Sequence, residues 1–224
     1  MAQTLDGVTS DMRMDRLTGE PDKSRARPLW LPQSEFVEWL RRLFAHHRSA
    51  KITWVDPYMD DVGINLINQC GVPDSTYLVL TEHTPEAPLS DWPERLLHDW
   101  GMGPEPKSPP PSRIDNLKSA CLSWTDTTHG ARLQVMGMPP DELHDRMILI
   151  RDAQLKPIAG YYLSHSLQRE NGNIPLTITS IPDNGLRNLA DYLDDMVEKV
   201  STAPNTQPGC NFNPIIFDSA AHTA

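Results

Sequence analysis

The amino-acid sequence predicts an α/β fold, a mixed, mostly parallel sheet flanked by helices. Three observations carry the prediction. Short β-branched and aromatic runs such as "KITWV" and "TYLVL" alternate with stretches of helical period. "KITWVDPY", "DDVGINLINQC" and "STYLVLTEH" follow one another as strand, helix and strand, the order of a parallel crossover unit. The 224 residues are 38% hydrophobic and 22% charged, which is enough apolar material for one sizeable core and unlike a disordered chain.

Along the chain, residues 1–27 are polar and of mixed charge and are expected to form a flexible leader. A single domain is expected over 28–200. "SEFVEWLRRLFAHHR" opens it as an amphipathic helix, with Ser34 as N-cap, Glu35 and Glu38 in the first turn and arginines toward the end. The strand "KITWVDPY" stops at Asp56-Pro57, because proline cannot continue a ladder. "DDVGINLINQC" is helical with Gly71 near its C-cap, and its acidic Asp60-Asp61 start reads as a first helical turn rather than as metal ligands. From about 85 to 112 a Pro-rich insertion, including "MGPEPKSPPPS", breaks the pattern; a short helix, "LSDWPERLLHDWG", is expected inside it. "SRIDNLKSACLSW" is a helical stretch. "ARLQVMGM", "DRMILIRD", "PIAGYYLSHSL" and "IPLTITSIP" are strands, the middle two joined by a hairpin loop. "NGLRNLADYLDDMVEKV" is a terminal helix with one apolar side. Residues 201–224 are expected to be a loose tail, in which "FNPIIF" has the composition of an edge strand.

The formal net charge of −10 lowers the expectation of non-specific binding to nucleic acid or anionic membranes. Three scattered cysteines, Cys70, Cys121 and Cys210, form no CxxC pair, which argues against a zinc ribbon or a disulfide scaffold and points to a reducing, cytoplasmic compartment. The polar start lacks the apolar core of a signal peptide, and no window reaches the length of a membrane span. Most of the six tryptophans, Trp39 and Trp54 among them, are expected in the core.

The chemistry concentrates in "LHDRMILI" and "GYYLSHSLQ". His144 and Arg146 stand two apart at the start of a buried strand and so share a face. The hairpin sets them near Ser164, Ser166 and Gln168 at the end of the next strand. An imidazole can attack phosphorus or move a proton, and a guanidinium grips phosphate oxygens in pairs. The set suits phosphoryl chemistry and is short of zinc ligands. A lone histidine at a strand start is usually a structural hydrogen-bonder. Arg146 and the Ser-His-Ser strand are what shift the reading toward a phosphate site.

"HDRMILI", followed by "GYYLSHSLQ", with "VDPY" on an earlier strand, resembles the phospholipase D-like superfamily over roughly residues 50–200, closest to atypical bacterial members with a His-Asp-Arg signature. The resemblance implies one copy of that fold. His144 would be the nucleophile of a phosphohistidine intermediate, and Arg146 would stand in the place of the family's phosphate-binding lysine. Ser166 with Gln168 would take the places of its serine and asparagine, or Ser164 with Ser166 in the other register. Asp56 would be structural. No cofactor and no metal are implied.

The chain departs from the family pattern. The motif's acid should fall at 151, which is Arg151; Asp152, one place later, is the candidate orienting acid. No second His-x-Lys or His-x-Arg copy is present, so a homodimer or larger complex would have to supply a second His144. The resemblance implies a metal-independent phosphodiesterase acting on nucleic acid, and by family analogy a role in bacterial defence or mobile elements. The alternative is a catalytically degenerate copy serving as a protein-interaction or regulatory subunit.

Overall fold

The computed structural model describes residues 29–31, 33–83, 112–126, 130–139, 142–166, 176–202 and 214–221. The leader, nearly all of the Pro-rich insertion with its expected helix, Gln168 and Cys210 lie outside the described residues. In chain order the elements are β1 (Leu29–Leu31), α1 (Gln33–His46), β2 (Lys51–Val55), α2 (Asp61–Cys70), β3 (Thr76–Glu82), α3 (Arg113–Leu122), β4 (Arg132–Met138), β5 (Met147–Arg151), β6 (Pro157–Leu163), β7 (Leu176–Ser180), α4 (Asp183–Thr202) and β8 (Ile215–Asp218).

One eight-stranded sheet runs in the order β1-β7-β6-β5-β2-β3-β4-β8. It is mixed and flanked by helices, but it is not mostly parallel. Only β2–β3 and β3–β4 pair in parallel, and every other neighbouring pair is antiparallel. The crossover read from "KITWVDPY" to "STYLVLTEH" accounts for the parallel part. The β5–β6 pairing follows from connection length. Five residues join β5 to β6, enough for a hairpin and too few for the crossover that parallel neighbours need.

Strand alternation sorts the core onto two faces. Trp54, Val79, Val135, Ile148 and Tyr161 lie in one register row and pack with α1, α2 and α3. Val55, Leu80, Met136 and Met147, one residue on, pack against Leu186, Ala190, Leu193, Met196 and Val200 of α4. Trp39 meets Tyr161 edge to face with ring centroids 5.0 Å apart, which fixes α1 on the sheet. Trp39, Trp54 and Trp124 are all buried.

Three details bear on the expectations. α1 begins at Gln33, so Ser34 lies inside the helix rather than capping it. Within 201–224, Ile215–Asp218 pairs with β4 as an edge strand, in keeping with the composition of "FNPIIF". Arg151, where the motif's acid was expected, is buried. Its Nη1 bonds both carboxylate oxygens of Asp194 on α4, at 2.8 and 3.0 Å, and its Nη2 bonds Ala190 O at 2.9 Å. That side chain docks α4 onto the sheet.

Candidate functional site

Because β5 and β7 run opposite to β2, β3, β4 and β6, one end of the sheet gathers residues from distant parts of the chain. Val55 lies opposite Met147, and Met147 opposite Tyr162. The segments after Val55, before Met147 and after Leu163 are therefore neighbours. Leu163 N donating to Arg146 O at 2.9 Å extends the hairpin one step beyond the strands.

β2 stops where Asp56 meets Pro57. Asp56 N still donates to Leu80 O at 3.0 Å. Its side chain then turns the chain, with Oδ1 accepting from Tyr58 N at 3.0 Å and the backbone O from Met59 N at 3.1 Å. Asp56 is fully buried. A carboxylate held there is costly unless its oxygens are bonded, and Ser166 Oγ supplies a second donor at 2.5 Å. The same hydroxyl accepts from Arg146 Nε at 2.7 Å.

The result is a chain from Arg146 through Ser166 to Asp56. Ser166 has given its one proton to Asp56, and it is buried, so the structure places it as a link that aims Arg146 rather than as a group open to substrate. Arg146 is half-buried. Its Cζ lies 5.4 Å from the centroid of the Tyr58 ring, within cation–π range. Only Nε is engaged among the described residues, which leaves the paired Nη nitrogens for an anion.

His144 is exposed and makes no hydrogen bond among the described residues. Asp145 is exposed likewise. Ser164 does not join Arg146. Its Oγ accepts from Thr177 N and pairs with His165 Nδ1, both at 3.0 Å, so it stitches β6 to β7. Asp152 is not an orienting acid for His144. Its Oδ1 accepts from Gln154 N at 3.0 Å and Lys156 N at 2.9 Å, closing the β5–β6 turn. It lies beyond the opposite end of β5, whose five residues alone span roughly 17 Å at about 3.3 Å per residue. Asp60 caps α2, accepting from Val62 N at 2.9 Å.

Sequence reasoning missed one residue and undervalued another. Asp56, read as a strand terminator and as structural within "VDPY", is the buried anchor of the site. Arg113, in the first turn of α3, reaches back to the same sheet end. Its Nη1 bonds Met59 O at 2.6 Å and Thr81 Oγ1 at 3.0 Å, and its Nη2 bonds Glu82 O. Burial pulls its guanidinium below the usual arginine range, opposed by the charges of Glu82, Asp56 and Asp60. A buried acid-proline turn and a capped helix start after a long insertion were visible in the sequence, but nothing local tied either to His144.

Among the described residues no group of three or more His, Cys, Asp or Glu could hold a metal ion. Among them, too, no helix is long and apolar enough to cross a membrane.

No protein-family model matches the chain, and no curated protein does. Among solved structures it is similar to the polyphosphate kinase from Porphyromonas gingivalis, with 13% identity and a TM-score of 0.36 over 92% of this chain. The chain spans 29% of the length of that protein. No function is carried over from it.

Proposed function

We propose that the protein is a metal-independent phosphodiesterase that cleaves nucleic acid through a phosphohistidine at His144. The observation that supports this reading is the anchored guanidinium. Arg146 is fixed at Nε by Ser166 and Asp56, with its Nη pair unengaged among the described residues, two residues from an exposed imidazole. The neutral His144 ring would attack phosphorus while Arg146 holds the non-bridging oxygens. The bond from phosphorus to the leaving oxygen breaks, and that oxygen takes a proton from a general acid. Water then cleaves the N–P bond, releasing a phosphomonoester and regenerating His144. The general acid would be His144 of a second copy, which makes a homodimer part of the proposal.

The test is hydrolysis of bis(p-nitrophenyl) phosphate in EDTA by the purified protein and by His144→Ala. EDTA-resistant hydrolysis that disappears in the variant supports the reading. Hydrolysis that survives the variant, or none in either protein, overturns it. A second reading, a degenerate copy acting as an interaction subunit, is favoured by one observation. The position of the motif's acid is given over to Arg151, committed to Asp194 and Ala190.

A further inference from the structure

Tyr58 is the exposed large hydrophobic side chain in contact with Arg146; among the described residues Tyr162, opposite Met147 on the same hairpin, is also exposed, and Leu122, Leu155, Tyr192 and Ile215 belong to other segments. A single exposed aromatic is unremarkable by itself. Its setting is not. The Tyr58 amide is held by Asp56, the next residue Met59 is fully buried, and Met59 O is held by Arg113. A Cβ on Gly63 would stand 1.9 Å from Met59 Sδ, so glycine at that position of α2 makes the room Met59 occupies. The turn is thus pinned on both sides of Tyr58, while the ring is 46% exposed with the Arg146 guanidinium over it.

This pairing sets a phosphate-binding fork over an aromatic ring that is still 46% exposed. A lipid phosphodiester would gain little from one ring without further apolar surface. A nucleotide offers a flat base next to its phosphate, and every base has a face that can stack. The formal net charge of −10 sharpens the point. Attraction to the phosphate backbone, the usual source of non-specific affinity, is weak for such a chain, so contact with bases has to supply binding.

We infer that Tyr58 is a base-stacking residue of this site, selecting unpaired nucleic acid over duplex and over phosphodiesters that lack a base. The inference rests on the phosphodiesterase reading.

The experiment is fluorescence anisotropy with the full chain carrying His144→Ala, which blocks turnover. The probes are labelled oligo(dT), an abasic oligomer with the same number of phosphates, and oligo(dT) annealed to oligo(dA). Oligo(dT) is expected to bind about five-fold or more tighter than the abasic strand, with the duplex no better than the abasic strand. Adding Tyr58→Ala should bring the oligo(dT) to abasic ratio to about one, and Tyr58→Phe should keep it. Equal binding of both single strands, a ratio untouched by Tyr58→Ala, or binding to none of the probes overturns the inference. The hydrolysis assay on bis(p-nitrophenyl) phosphate is scored on His144→Ala with Tyr58 in place, so it reports separately whether the phosphodiesterase reading stands.

Discussion

Ser166 and Asp56 are 110 residues apart in sequence, yet the serine hydroxyl donates to the buried carboxylate at 2.5 Å. That bond joins the hairpin carrying His144 and Arg146 to the parallel strands beside it. Replacing Ser166 by alanine would take a donor from a desolvated carboxylate and release Arg146 Nε. The expected loss is about 1–3 kcal/mol of unfolding free energy, read from urea denaturation. On the proposed function, phosphodiester hydrolysis should fall as well.

His144→Ala should behave in the opposite way. The side chain is exposed and unbonded among the described residues, so stability should change by no more than about 0.5 kcal/mol. Thermal denaturation of the pair of proteins checks this. A large drop in the melting temperature would mean that His144 is structural.

Arg113 closes three acceptors at once, Met59 O, Thr81 Oγ1 and Glu82 O. Arg113→Met is expected to cost about 2–3 kcal/mol, in the range for hydrogen bonds from a charged donor. Arg113→Lys should recover only part of it, because one ammonium cannot reproduce the planar fork. Urea denaturation of both variants distinguishes the two outcomes.

Arg151 is 3% exposed, but its partner Asp194 is 61% exposed. Solvent screens the carboxylate, so Asp194→Ala should cost about 1–2 kcal/mol, below what breaking a fully buried pair costs. Arg151→Met, which removes the desolvated charge along with its needs, should cost less. Denaturant midpoints of the two variants give the order directly.

Burial pushes the Cys70 thiol from 9.0 up to about 11 and the Cys121 thiol from 9.0 up to about 12. Burial also raises the Tyr77 and Tyr161 hydroxyls from 10.0 to about 12. Each group keeps its proton in the folded state where the unfolded chain has lost it. Stability from this source is therefore complete below about pH 9 and is lost as pH rises toward 12. A melting temperature that falls steadily over that window is expected. Cys70 and Cys121 should resist alkylation at pH 8 until the protein unfolds.

The elements were legible because their apolar periodicity is local. "MILIR" and "PIAGYYL" are strands in the sequence and in the structure. The sheet's sense was harder. One crossover unit near the start suggested a mostly parallel sheet, although "RDAQLKP" already announced a hairpin. The Arg146–Ser166 contact followed from that hairpin. Asp56 did not, because its partner lies in another half of the sheet and no nearby residue reveals the pairing. Asp152 was drawn into the site by its distance from His144 in the motif. Its spacing to Gln154 and Lys156, an acid two and four residues before the amides it bonds, was the better guide.

The strand order has a consequence for how the protein acquires whatever activity it has. β2, β3 and β4 can associate from one continuous stretch of chain, and β5, β6 and β7 from another. The two meet along the β2–β5 seam. Asp56 and Tyr58 come from the first stretch, and His144, Arg146 and Ser166 from the second. Neither stretch alone contains the Ser166–Asp56 bond. The seam joins residues almost a hundred positions apart, and contacts of such separation form late because loop closure must precede them. A nascent or partly unfolded chain would thus hold His144 without the aimed arginine. A break placed between Met138 and Met147 would yield two silent fragments, whose reassociation along the seam could be followed as the return of function.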